Sequence, residues 1–259
     1  SNTVIMVEDI TDIELLEEEL LQNERLASIG RLAAGVAHEI GNPVTGIACL
    51  AQNLEYESDP KEIRTMAQDI LKQTSRVTRI VESLMNFSHT GSYLEKTKLA
   101  PANLADCVDE AIHLLALDRE AKPVQFDNQC DRELLVLADS QRLLQVFINL
   151  LGNARDACDN NGEVHIRASA SASGDQVQID VEDNGSGIPP ALQAQVFEPF
   201  FTTKDPGVGT GLGLALVFSI MDDMNGKIHL TSPVSPDVQY GTRVTLSLSS
   251  TCYGPDYEM

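Results

Sequence analysis

The sequence predicts an α+β fold in two parts, a pair of long helices followed by a mixed sheet with helices on one face. Three observations carry this. The apolar residues first recur in a 3-4 alternation; near residue 100 the pattern changes to helical stretches interleaved with period-2 strands; and 259 residues exceed the usual size of one compact domain. Each part is long enough to bury its own core.

From Leu26 the apolar positions run Leu26, Ile29, Ala33, Val36, Ile40, Pro43, Ile47, Leu50 and Leu54, the spacing of a coiled-coil or bundle seam. Ser58-Asp59-Pro60 interrupts it. Asp59 as N-cap and Pro60 at the first helical position restart a helix, whose seam is Ile63, Met66, Ile70, Gln73, Val77, Ile80, Leu84 and Phe87. Two long helices joined by a short turn make an antiparallel hairpin with a narrow apolar stripe. Pairing two hairpins into a four-helix bundle covers that stripe, so a homodimer is expected. A single hairpin packed on its own second domain would need a broader stripe.

Residues 91–102 read as a linker. Beyond it, helices are expected over roughly 103–121 and 140–158, with strands at Val164-Ile166-Ala168, Val177-Ile179-Val181, Ile228-Leu230 and Val244-Leu246-Leu248. The segment 169–174 reads as a hairpin turn. Upstream, Thr11 and Glu14 have capping-box spacing, which starts a helix near Asp12.

Composition narrows the function. Eighteen Lys+Arg against 39 Asp+Glu give a formal charge of -21, a surface that repels phosphate backbones and makes nucleic acid an unsuitable partner. No apolar run reaches the length of a membrane span, so the expectation is either a cytosolic protein or the cytoplasmic piece of a longer, membrane-anchored one, with no membrane contact from this region. Five cysteines without CxxC spacing fit reduced thiols.

With Ala33 at heptad position a, His38 falls at the exposed position f, and Asn42, one turn on, shares its face with Glu39 beside them. A lone surface histidine is ordinarily without function. Pro43, however, removes a helical hydrogen bond to the carbonyl of Glu39, and a local rule broken beside an exposed imidazole marks a functional position. In the second part, Asn149 and Asn153 of NLLGNARDA lie i, i+4 on a helix, and DNGSGIP places Asp183 before Gly185 and Gly187. FEPFFTTK, ending at Lys204, leads into GVGTGLGL, whose Gly209, Gly211 and Gly213 precede a helix and free backbone N–H groups for phosphate. The spacing matches neither a P-loop nor a dinucleotide fingerprint.

AHEIGNP around His38 resembles the H box of sensor histidine kinases. NLLGNARDA, DNGSGIP, FEPFFTTK and GVGTGLGL are similar to that family's N, G1, F and G2 boxes, in the family's order. The resemblance implies a dimeric four-helix bundle over residues 26–90, and an α/β sandwich binding ATP under a mobile lid over 103–250, with 251–259 as a tail. It implies autophosphorylation of His38 with Glu39 assisting, transfer to an aspartate of a response regulator, and phosphatase activity involving Asn42. By the same resemblance Asp183 reads the adenine amino group, Asn153 holds Mg2+ with Asn149 in support, and Gly209, Gly211 and Gly213 let the lid close. Gly185 and Gly187 belong to the cofactor-binding residues, with Thr242 near the base and Lys204 a candidate for a phosphate contact. Asp156 departs from the family form, standing where many members carry lysine or arginine. EDIT at 8–11 resembles the end of a PAS sensor module, with 1–25 as its end and signalling helix; so short a string of common residues also arises by chance.

The alternative is an ATP-driven clamp of the gyrase or chaperone type. That chemistry resembles general-base catalysis by a glutamate where this chain has Asn149, and an amide takes no proton from water.

Overall fold

The structure is a computed structural model in which residues 40–90, 99–118, 121–159, 162–204, 209–235 and 240–251 are described. The chain forms two compact units, Ser1–Ile80 and Val81–Met259.

In the first unit a helix, α1, runs over residues 40–54, and α2 begins at Pro60 of the helix Pro60–Thr90. Asp59 is the N-cap: its Oδ1 accepts from the Lys61 N–H at 2.9 Å. The 3-4 pattern is visible in burial. Pro43 is buried, and Ile40, Ile47, Leu50 and Leu54 are half-buried, as are Met66, Ile70, Gln73 and Val77 opposite. Gly46 lies against Gln73, whose Cγ is 3.9 Å from where a Cβ on Gly46 would stand. Helix α1 continues through Pro43, and the Thr45 hydroxyl donates to the Gly41 carbonyl at 2.8 Å. The expected disturbance at Glu39, and the helix near Asp12, lie outside the described residues.

The second unit is a five-stranded sheet in the order β2-β4-β5-β7-β6. Its strands are β2 (Val124–Asn128), β4 (Gly162–Ala170), β5 (Gln176–Asp183), β6 (Lys227–Thr231) and β7 (Thr242–Ser249). Only the β2–β4 pair is parallel. Period-2 alternation sends Val164, Ile166, Val177, Ile179, Val181, Val244, Leu246 and Leu248 into one core with the apolar faces of three helices. These are α3 (Leu104–Ala116), α4 (Ser140–Ala157) and α5 (Gly213–Asp223). Each fully buried Leu, Ile or Phe contributes about 1.5–3 kcal/mol. The other sheet face is polar, crossed by Arg243–Glu182 (2.8 Å) and His165–Asp127 (3.1 Å) pairs. Asp139 caps α4 by accepting from the Gln141 and Arg142 N–H groups at 3.0 and 3.2 Å.

Two expectations need correction. Residues 100–102, read as the end of a linker, belong to β1 (Ala100–Asn103), which pairs antiparallel with β3 (Leu135–Ala138) in a separate two-stranded sheet. The helix expected to reach 121 stops at Ala116, where Leu117 and Asp118 turn back by N–H bonds to Leu114 and Leu115. Strand β2 gave no signal either. A four-residue strand holding Pro101 and a short parallel edge strand are set by long-range pairing, which leaves no periodicity to read.

Candidate active site

The second half of α4 is the spine of the site. Asn149 Nδ2 donates to the Gln145 carbonyl at 2.8 Å, which directs Oδ1 away from the helix. That oxygen lies 3.1 Å, and Asn153 Nδ2 3.6 Å, from where a Cβ on Gly213 would stand. Both amides therefore meet the first residue of α5, with no side chain between them. At the end of α4 the Ala157 carbonyl accepts from the Ser186 N–H at 3.1 Å. A Cβ at Gly185 would come within 2.6 Å of that same carbonyl oxygen, so only glycine admits this approach.

Asp183 ends β5 and is almost fully buried, at 8% exposure. Its Oδ1 takes two backbone donors, Gly185 N–H at 2.8 Å and Thr242 N–H at 3.2 Å. With both bonds on one oxygen, Oδ2 is left to accept from a ligand. Burial pushes the carboxyl up to about 6, against the two N–H bonds that lower it. Thr242 is paired with Asp183 across β5 and β7 and is likewise buried. Gly187 turns the loop at φ +74°.

Lys204 and Gly209 form a third group. The Lys204 N–H donates to Thr202 Oγ1 at 3.2 Å, and a Cβ on Gly209 would stand 2.6 Å from that hydroxyl and 3.1 Å from Lys204 Cδ. Lys204 Nζ is 2.5 Å from Asp156 Oδ2 on α4. Gly211, at φ +66°, packs on Phe200, itself at φ +69°; the Phe200 N–H donates to the Gly211 carbonyl at 2.9 Å. Every catalytic-domain residue singled out in the sequence thus lies in this one unit. Asn42 is exposed on α1, in the other unit; His38 and Glu39 lie outside the described residues.

Sequence reasoning missed the frame behind the Asp183 loop. Buried Ser232 donates through Oγ to the Gly241 carbonyl at 2.8 Å and accepts from the Ile188 N–H at 2.7 Å. Gln193 Nε2 donates to the carbonyls of Ile188 and Ser232 at 2.9 and 2.5 Å. These partners lie 44 and 39 residues apart, so no local pattern announces them.

Residues 138–251, which hold the buried carboxylate and the glycine loops, match the family "Histidine kinase-, DNA gyrase B-, and HSP90-like ATPase". Residues 28–92 match the "His Kinase A (phospho-acceptor) domain". With both parts present in this order, the chain belongs to the two-component sensor histidine kinase family. It is 33% identical over 246 residues to the histidine-protein kinase AtoS of Escherichia coli (strain K12), covering 95% of this chain and 39% of AtoS. To the sensor histidine kinase ZraS of the same strain it is 35% identical over 223 residues, covering 85% of this chain and 46% of ZraS. The chain therefore spans less than half the length of these relatives. Among solved structures, histidine kinase ThkA in complex with response regulator protein TrrA matches with a TM-score of 0.71 at 29% identity, over 95% of this chain and 69% of that one. Among the described residues no helix is long and apolar enough to cross a membrane.

Proposed function

We propose that this chain is the transmitter region of a sensor histidine kinase that binds ATP, phosphorylates His38 and passes the phosphoryl group to an aspartate of a response regulator. The observation that carries the reading is Asp183. A buried carboxylate with one oxygen held by two backbone N–H groups and the other left for a donor suits the adenine amino group, and it would reject the carbonyl that guanine presents there. Asn149 presents its amide oxygen and Asn153 its amide nitrogen toward the start of α5, where N–H groups favour phosphate.

In the transfer, a nitrogen of His38 attacks the γ-phosphorus, the bond to the β-phosphate bridging oxygen breaks and ADP leaves. Glu39 accepts a hydrogen bond from the other ring nitrogen and fixes the tautomer. Mg2+ takes oxygen ligands and keeps several waters, so a side-chain amide oxygen together with phosphates is a fitting donor set. Asn153 would hold it, supported by Asn149, and the ion would neutralise charge on the phosphates.

An ATP-driven clamp is disfavoured because Asn149, tied to Gln145, offers no general base. The seam of α1 and α2 supports a homodimer, and the resemblance to a kinase solved with its response regulator supports a receiver domain as partner. Incubation with magnesium-ATP followed by phosphopeptide mapping tests the reading. Label should sit on His38 and be acid-labile and alkali-stable; label that persists in His38→Ala overturns it.

A further inference from the structure

Asp156 stands apart from the other residues of the site, because it puts a negative charge where a polyanion is to bind. It lies three residues beyond Asn153, on the same side of α4. The two basic residues of α4 do not offset it. Arg142 is committed to Asp223 at 2.7 Å. Arg155 is turned to the end of α3, donating to the Leu115 carbonyl at 3.1 Å and pairing with Asp118 at 3.5 Å. The cation that meets Asp156 comes from elsewhere in the chain, Lys204, at 2.5 Å.

The Lys204 backbone is held by its N–H bond to Thr202, and its stem passes beside Gly209, which has no side chain to displace it. Both partners are substantially exposed, with side-chain accessibilities of 30% and 44%. An ion pair this accessible is weak and opens at little cost. Lys204 is therefore engaged, but not locked, beside the residues expected to face phosphate.

We propose that Asp156 is a specificity-determining residue that competes with nucleotide phosphate for Lys204, lowering affinity in proportion to the number of phosphates. The proposal rests on the reading of this site as an ATP site. A nucleotide that recruits the Lys204 ammonium leaves Asp156 as an unpaired carboxylate near its own negative charges. The penalty is largest for a triphosphate, smaller for a diphosphate and absent for the nucleoside. A carboxylate that merely stiffened the fold would affect all three alike. The consequence is a kinase that holds ATP and ADP with similar strength, which eases replacement of product by substrate.

Calorimetry of ATP, ADP and adenosine binding to the 259-residue chain, with thermal melts as a folding control, tests this. Asp156→Asn should tighten ATP binding on the order of fivefold, tighten ADP less and leave adenosine unchanged, with the gain shrinking in high salt. Lys204→Gln should weaken ATP more than ADP. Opposite signs for the two variants support competition. Weaker binding in both, or an unchanged ATP affinity in a folded Asp156→Asn protein, overturns it. Wild-type protein that binds ADP and adenosine while Asp156→Asn changes nothing removes this proposal alone, whereas wild type that binds none of the three removes the nucleotide reading as well.

Discussion

The two units bury their apolar residues to very different degrees. In the catalytic unit, Ile166, Val177, Ile179, Leu246, Phe147 and Leu151 are wholly buried within one chain. In the hairpin Ile80 is buried (1%), but Ile63 is 37% exposed, Ile70 and Val77 are only half-buried, and Leu71 (66%) faces outward. A sheet covered by helices closes its own core, whereas a two-helix hairpin has too few neighbours to do so. The catalytic unit should thus be stable by itself and the hairpin should depend on a second copy.

The strongest way to break this comparison is to place a charge in each core. Ile70→Asp in the hairpin should cost several kcal/mol in the dimer. Light scattering should then report monomers or aggregates, while nucleotide binding survives. Wild-type protein that stays monomeric at micromolar concentration would contradict the hairpin half of the contrast. Phe147→Ala should cost about 3–5 kcal/mol and lower the melting of the catalytic unit without changing oligomeric state. Conversely, hairpin melting should depend on protein concentration and catalytic-unit melting should not.

Asp183, the proposed adenine reader, adds to the contrast because its charged form works against the fold. Its folded carboxyl titrates near 6 rather than at the ordinary value of 3.8. The group's contribution to stability is complete below about pH 4 and is lost as pH rises through 6, a difference of ~3 kcal/mol by linkage. Asp183→Asn keeps an acceptor for the Gly185 and Thr242 N–H groups but removes the buried charge. It should therefore melt higher than wild type at pH 8, with the advantage vanishing toward pH 4, and should lose affinity for ATP and ADP alike. A variant no more stable than wild type at pH 8 would show that the burial cost is compensated.

The smallest effect on stability is expected at Asn42. Being exposed, it should shift stability by no more than about 0.5 kcal/mol when changed to Ala. Asn42→Ala is expected to keep autokinase activity and lose phosphatase activity toward a phosphorylated regulator, because an amide one turn from His38 can orient water for in-line attack. Glu39→Ala should do the reverse. Unchanged dephosphorylation by a folded Asn42→Ala dimer would refute the role.

What could be read before any fold was known is what repeats or breaks a rule locally. The seam, the Asp59 cap, the alternation of β4, β5 and β7, and the i, i+4 pair Asn149 and Asn153 all follow from helical and strand periods. The boxes around Asp183 and the glycines are likewise short, contiguous strings. Tertiary structure alone decided what joins distant segments. Strands β1 and β3 exist because Ala100–Asn103 meets Leu135–Ala138, and the Asp183 loop keeps its shape through Ser232 and Gln193. The same holds at Asp156, which by sequence was an acid where a base was expected; its partner Lys204 lies 48 residues away. Short strands and buried hydrogen bonds draw their stability from partners remote in the chain, so they leave no periodic trace in the residues that form them.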